Sequence, residues 1–404
     1  MGTPRWFVAL VIVSSLTGCR ACASKFLGSG TKVSTTTRGG HESWEVAPGG
    51  AGGGTMASAT VVDDVAIVGD GYSSTSLVGL DTKTGATKWT TALGDNGAGP
   101  VAVSGNDIAF TTESCTVYVA DAHTGAIRWQ KWLGDPLVSH PAIAANVVYV
   151  VAPQDASSTT HALFAFDAKD GTEKWHEIVG ADAIGAPVVI GDRVYVATQD
   201  GTVTRMSTSG KVTWSVAAGA MSAPVSDGAG SFFVVSKTHG IESVRRITDG
   251  ESPTMSEPWH PSPASATDNP EGETAYATQG RFDQAKRHLG TADGATLWAW
   301  QGGKPFVSDG RVFAMVGGQL VAFDAKSGQE LWSAPYAHGA TPPVVSGSAV
   351  FIVTASGDLE IRDAIVGARR ESIPLGVSVA FPPVVDKDRV FVSTTDGRVI
   401  SIKK

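Results

Sequence analysis

Cysteine is nearly absent from this chain. Cys19, Cys22 and Cys115 are the only three in 404 residues, and no two are adjacent. That argues against a fold stapled by disulfides and against a site built on a vicinal cysteine pair. The nine histidines are scattered, with no metal-ligand spacing between them; His123 lies in a turn and His140 stands before a proline, so both read as loop residues. There is no Gly-x-Ser-x-Gly elbow, and the glycine run at 49–54 lacks the Lys-Ser/Thr that a phosphate loop needs. Charge is sparse, at 17% of residues, and its formal balance is −8, which leaves no basic excess for general nucleic-acid binding. The apolar run at 6–16 is too short to span a bilayer.

Glycine, by contrast, is abundant, with 48 residues, and 42% of the chain is hydrophobic. That fits a turn-rich all-β protein with a sizeable core. One stretch organises the rest: residues 319–332, Gln-Leu-Val-Ala-Phe-Asp-Ala-Lys-Ser-Gly-Gln-Glu-Leu-Trp. Its frame is an Asp, a Gly four residues on and a Trp four beyond that. The frame is complete at Asp81-Gly85-Trp89, Asp121-Gly125-Trp129, Asp167-Gly171-Trp175 and Asp324-Gly328-Trp332. Gly210-Trp214 and Gly294-Trp298 lack the Asp, and Asp363-Gly367 has Glu371 in the Trp position.

Each part has a physical reason. The apolar run before the Asp suits a buried strand. The Asp accepts backbone hydrogen bonds and starts a turn, and the Gly supplies the positive φ of a short bulged hairpin. The Trp opens the next strand and offers a flat apolar surface to a neighbouring sheet. Upstream, Asp192-Arg-Val-Tyr-Val-Ala, Gly310-Arg-Val-Phe-Ala-Met-Val and Asp388-Arg-Val-Phe-Val-Ser are strand-like. Asp200-Gly201 and Asp396-Gly397 read as tight hairpins, and a Pro-Val-Val run precedes each unit at 187, 343 and 383. Four strands per repeat, at a spacing of about 40 residues, is the period of a propeller blade.

The unit resembles the pyrroloquinoline-quinone-type repeat of eight-bladed propellers, from Trp44 to the C-terminus. The resemblance implies an all-β, eight-bladed propeller of four-stranded antiparallel blades. The interval from Trp214 to Trp298 is twice the usual period, so the residues themselves leave eight and nine blades open. Residues 251–273, rich in Pro, Ser and Glu, read as an irregular insertion. Trp44, in Ser-Trp-Glu-Val, looks like the last strand of a blade whose first three strands come from the C-terminus. Pairing of the two ends would close the ring and remove two sheet edges.

The N-terminus reads as a targeting segment: Arg5, the apolar run, then Leu16-Thr17-Gly18-Cys19, which looks like a lipobox. Residues 1–18 are then a lipoprotein signal peptide, Cys19 the lipidated residue, 19–40 a flexible tether and 41–404 one propeller domain. Ala21-Cys22-Ala23 leaves ordinary secretory cleavage as the alternative. With Cys19 acylated, Cys22 and Cys115 remain, and whether they pair is open.

Function has to be argued from a site, and no catalytic, cofactor or metal site is visible. The quinoprotein alcohol dehydrogenases share the repeat but carry a calcium site, a base Asp and a cysteine pair. A tethered propeller without them resembles the BamB family, propeller lipoproteins of the machinery that inserts β-barrel proteins into the outer membrane. That resemblance implies a non-catalytic scaffold on the periplasmic side of the outer membrane, whose partner is a barrel-assembly component. The alternatives are a ligand-binding or sensory propeller and a quinone-dependent dehydrogenase. The inter-blade connections at 93–99, 133–140, 177–186 and 217–223 vary most between repeats and are the expected partner surface.

The anchor is testable directly. Cys19→Ser should abolish incorporation of labelled fatty acid and shift the protein out of the membrane fraction. Unaltered maturation and fractionation would exclude Cys19 as the anchor.

Overall fold

The computed structural model describes residues 32–48, 58–69, 74–95, 97–112, 114, 116–134, 139–155, 158–262, 303–336, 340–379 and 381–404. The three cysteines, Gly294, Trp298, the signal segment and residues 263–273 of the 251–273 insertion lie outside these residues.

The apolar runs form strands, and among the described residues the strands form eight antiparallel sheets. Blade 1 spans 60–92, blade 2 102–132, blade 3 142–180, blade 4 188–217, blade 5 225–255, blade 6 306–335 and blade 7 344–374. In blade 1 the order is β3 (Thr60–Val62), β4 (Val65–Gly69), β5 (Ser76–Asp81), β6 (Thr87–Ala92), each paired with the next. The middle strands are almost wholly buried, whereas the fourth alternates between exposed and buried residues. The first strands of neighbouring blades stand beside one another and so mark the inner end of each blade.

Both faces of a blade are covered by its neighbours, which is why strands two and three are continuously apolar rather than alternating. In β4, Val65 and Ile67 pack toward blade 2, while Ala66 and Val68 pack toward blade 8. Every adjacent pair of blades shares its own apolar cluster in this way. The core is therefore a ring of interfaces and not a single interior.

Blade 8 closes that ring. It takes β31 (Val384–Val385), β32 (Arg389–Ser393) and β33 (Val399–Lys403) from the C-terminus and β2 (His41–Val46) from the N-terminus. Trp44 lies opposite Ser401 and Val46 opposite Val399. This sheet has five strands where four were expected. The fifth, β1 (Ser34–Arg38), falls inside the stretch read as tether and pairs with β2 as far as Arg38↔His41. A Gly39-Gly40 turn, both residues at positive φ, makes that hairpin possible. The Ser-Thr-Thr-Thr-Arg strand is polar and largely exposed, so the sheet ends on a hydrophilic edge.

A docked indole joins one blade to the next. The motif Trp on a fourth strand lies against the motif Gly of the following blade: Trp44 on Gly85, Trp89 on Gly125, Trp129 on Gly171, Trp175 on Gly210 and Trp332 on Gly367. In several pairs the indole Nε1 also donates to a turn carbonyl, as from Trp129 to Ala168 at 2.9 Å and from Trp175 to Thr208 at 2.8 Å. The indole on Gly328 is Trp259, which lies inside the stretch read as a loop. Residues 251–262 are thus part of blade 5: β22 (Thr254–Met255) pairs with β21 (Ile241–Thr248), and Trp259 bridges Val244.

Trp259→Ala should therefore cost as much as loss of a regular motif Trp, about 3–5 kcal/mol of unfolding free energy. Urea unfolding measures this, and an unmoved midpoint would remove Trp259 from the docking series.

Candidate protein-interaction surface

The alternating strand directions sort the loops onto two faces. Turns between strands one and two, and between three and four, lie on one face. Hairpins between strands two and three, together with the inter-blade connections, lie on the other.

On the turn face the motif aspartates are committed to backbone. Asp81 Oδ1 accepts from the N–H of Thr84 at 2.8 Å and of Lys83 at 3.1 Å, and Gly85 N donates to the Asp81 carbonyl at 2.8 Å. Asp121, Asp324 and Asp363 accept from the same two positions, and Asp167 from Lys169. Burial alone would raise the pKa of Asp81 and Asp121, but the turn's hydroxyl and N–H donors outweigh it and hold both low. Asp363 falls to about 2, first through the Arg370 hydrogen bond and then through the turn amides.

Gly210 and Trp214 sit in blade 4 without the Asp; Ser207 takes the turn instead, with its carbonyl accepting from Gly210 N at 3.0 Å. Among the described residues no Gly receives Trp214. Its Nε1 donates to Asp249 Oδ1 at 3.2 Å. The Asp249 side chain, 2% exposed, also accepts from Arg205 at 2.5 Å, Arg193 at 2.7 Å and Tyr195 at 2.8 Å. Burial would raise its pKa, but these donors hold it below the ordinary value; Tyr195, buried beside the carboxylate, is pushed up to about 12. At the other irregular junction Glu371 meets His41 at 2.8 Å, and Arg38 donates to the Leu375 carbonyl at 2.8 Å.

On the opposite face five of the connections are pinned to the second strand of the blade they lead into. Gly99 N donates to Thr111 O at 2.8 Å, Ser139 Oγ to Val151 O at 2.7 Å, Ile184 N to Ala197 O at 2.7 Å, Met221 N to Val235 O at 2.8 Å and Thr341 N to Val353 O at 2.8 Å. The connection read as 177–186 is shorter than expected, because β14 (Glu173–Gly180) runs to Gly180. These hydrogen bonds tie the described ends of five connections to the blade that follows.

A groove of about 220 Å³ opens between blades 2 and 3. Lys131, Trp132, Leu133 and Gly134 line one side, and Pro153, Gln154, Asp155, Phe164, Phe166 and Glu173 the other. Lys131 Nζ stands 4.4 Å from the Phe166 ring centre, and Phe164 packs against His176 at 5.2 Å. Sequence reasoning missed Asp249, Trp259 and this groove. A Trp one blade length beyond Trp214 was the available signal for Trp259; the other two depend on contacts between blades. Among the described residues no three His, Cys, Asp or Glu side chains are gathered where they could hold a metal ion.

Residues 73–178, 156–251 and 272–404 match the family described as outer membrane protein assembly factor BamB. No curated protein matches the chain. Among solved structures, BamB from Moraxella catarrhalis superposes with a TM-score of 0.64 at 16% identity, over 92% of this chain and 98% of that one. The quinohemoprotein alcohol dehydrogenase ADHIIG from Pseudomonas putida HK5 gives 0.61 at 14% identity, over 92% and 76%. A computationally designed protein, Ika8, gives 0.64 at 12% identity, over 88% and 98%. At such identities the likeness is one of fold.

The Asp249 cluster yields a pH prediction. Asp249→Ala leaves Arg205 buried without its partner and should cost about 3–5 kcal/mol at neutral pH. A carboxylate with a lowered folded pKa stabilises fully above its unfolded value, near 3.9, and loses that contribution as pH falls through the folded value. The gap between parent and variant, followed by urea unfolding, should therefore narrow below about pH 4. A gap independent of pH would show that packing, not charge, carries it.

Proposed function

The chain belongs to the family of the outer membrane protein assembly factor BamB, and from that premise we propose that it is a non-catalytic scaffold of outer-membrane barrel assembly. It is held by the lipid on Cys19 to the periplasmic side of the outer membrane, and it binds the periplasmic part of the central barrel insertase through the face that carries its inter-blade connections.

The observation that carries this reading is the row of pinned connections. They vary in sequence from blade to blade yet are held alike, which suits a surface specific for one partner. The turn face is uniform by comparison, because its aspartates and glycines serve the turns themselves. Likeness of fold to quinohemoprotein alcohol dehydrogenases supports a second reading, a quinone-dependent dehydrogenase. Turnover of alcohols by the purified protein with added pyrroloquinoline quinone and calcium would favour it.

Photo-crosslinkers at exposed Ala92 and Ala217, where fourth strands run into connections, should capture the insertase in intact membranes. The same groups at exposed Lys83 and Lys326 on the turn face should not. Capture from the turn face alone would sink this assignment of the surface.

A further inference from the structure

In blades 1 to 7 the third strand turns directly into the fourth. Blade 8 is different, because its third strand, β33, is C-terminal and its fourth, β2, is N-terminal. No Asp-x-x-x-Gly turn joins them, and blade 7, which faces this splice, carries Glu371 at the Trp position. What meets Glu371 is His41, the first residue of β2, next to the Gly39-Gly40 turn. Its Nε2 lies 2.8 Å from Glu371 Oε1, on β30 (Arg369–Pro374) of blade 7. Its Nδ1 lies 2.8 Å from the Lys403 carbonyl oxygen, on β33. One imidazole thus holds the N-terminal strand both to the C-terminal strand and to the preceding blade.

Both partners of the ring are acceptors. A carbonyl oxygen has no proton to give, and neither has a carboxylate. A neutral imidazole has one N–H and one bare nitrogen, so either tautomer would set a lone pair against an oxygen at hydrogen-bond distance. Both contacts are satisfied only when the His41–Glu371 pair holds one further proton, and that proton belongs on the ring, the stronger base of the two. The other charged groups packed here have partners of their own. On blade 7, Arg370 is held by Asp363 at 2.6 Å and Arg369 by Glu360 at 3.4 Å. On β1, Arg38 donates to Glu45 at 2.6 Å and to the Leu375 carbonyl at 2.8 Å. On β2, Glu42 takes Arg389 at 3.3 Å, and on β33 Lys403 is exposed. Among the described residues Glu371 is therefore the carboxylate that faces His41.

We infer that His41 is a proton-operated clasp of the ring. Its imidazolium ties β2 to β33 and to blade 7, and loss of the proton releases one of the two ties. The clasp is complete on the acid side of histidine's ordinary range, about pH 6.5, and incomplete on the alkaline side. The hold it gives β2 is thus present in acid and lost as pH rises. The strand it holds carries Trp44, the indole docked on Gly85 of blade 1, so the clasp bears on both seams of blade 8. This device concerns how the ring closes, and it stands whether or not the protein is a scaffold.

Hydrogen exchange of the β2 amides, followed from about pH 5 to about pH 8, reads the clasp directly. Once the intrinsic rise of exchange rate with pH is removed, protection of residues 43–46 in the parent should fall several-fold across that range. Protection of β6, the matching fourth strand of blade 1, should stay level. His41→Gln offers the same donors at every pH and should hold β2 at a constant, lower protection. Glu371→Ala removes the acceptor at Nε2, so that neutral His41 needs to satisfy Lys403 alone, and should flatten the profile in the same way. His176→Gln, whose ring meets Glu173 on its own strand, should keep the parent's profile at β2. Protection of β2 that does not change with pH in the parent, or that falls as steeply in His41→Gln and Glu371→Ala, overturns the proposal. The parent measurement stands alone if either variant fails to fold.

Discussion

A tryptophan laid flat on a glycine is the contact on which the ring depends. The glycine is required twice over. It holds a positive φ, 74° at Gly328, and it has no Cβ, which at Gly328 would lie 2.3 Å from the Trp259 ring. The indole thus reaches the backbone of the next blade, fills the outer part of the interface and, in most pairs, donates to a turn carbonyl. Each blade buries both faces only because it has two neighbours. Stability is therefore close to a sum of nearest-neighbour terms, made cyclic by β2. Without the N-terminal strand, blade 8 would present an open edge at β33 and lose Trp44, the indole that docks on blade 1.

Where this contact is missing, polar groups hold the junction. Trp214 meets a buried Asp249 rather than a glycine, and the carboxylate gathers two arginines and a tyrosine around it. Such a cluster gains little over an apolar contact once desolvation is counted, but it is costly to break and so favours one register. The seam between blades 7 and 8 uses Glu371, His41 and Arg38, with the β1–β2 turn resting on Ile373. Both substitutions fall where the repeat itself is interrupted, at blade 5, whose fourth strand has only two residues, and at the splice between the chain termini.

The two faces of the propeller divide the work. Turn-face carboxylates are engaged by a neighbouring Arg or Lys at Asp363 and Asp167 and by the donors of their own turns, and these contacts account for their depressed pKa values. On the other face five connections are tied to the blade that follows, and their side chains vary from blade to blade.

The strand–turn–Trp unit was legible in the sequence because everything in it is local. Asp81 caps a turn four residues long, Gly85 supplies its φ, and the apolar runs on either side mark buried strands. The closing strand was legible as well, since Trp44 repeats that context at the other end of the chain. Trp259 was not, because no Asp-x-x-x-Gly turn precedes it. Its role is set by Gly328, which it meets only once two blades are packed together. The same holds for β1, a polar run indistinguishable from a tether until β2 offers it an edge, and for Asp249, whose partners come from the neighbouring blade. Local chemistry determined which segments became strands and turns. Only the tertiary structure decided which residue of one blade touched which residue of the next, because that contact joins atoms that no short stretch of chain contains.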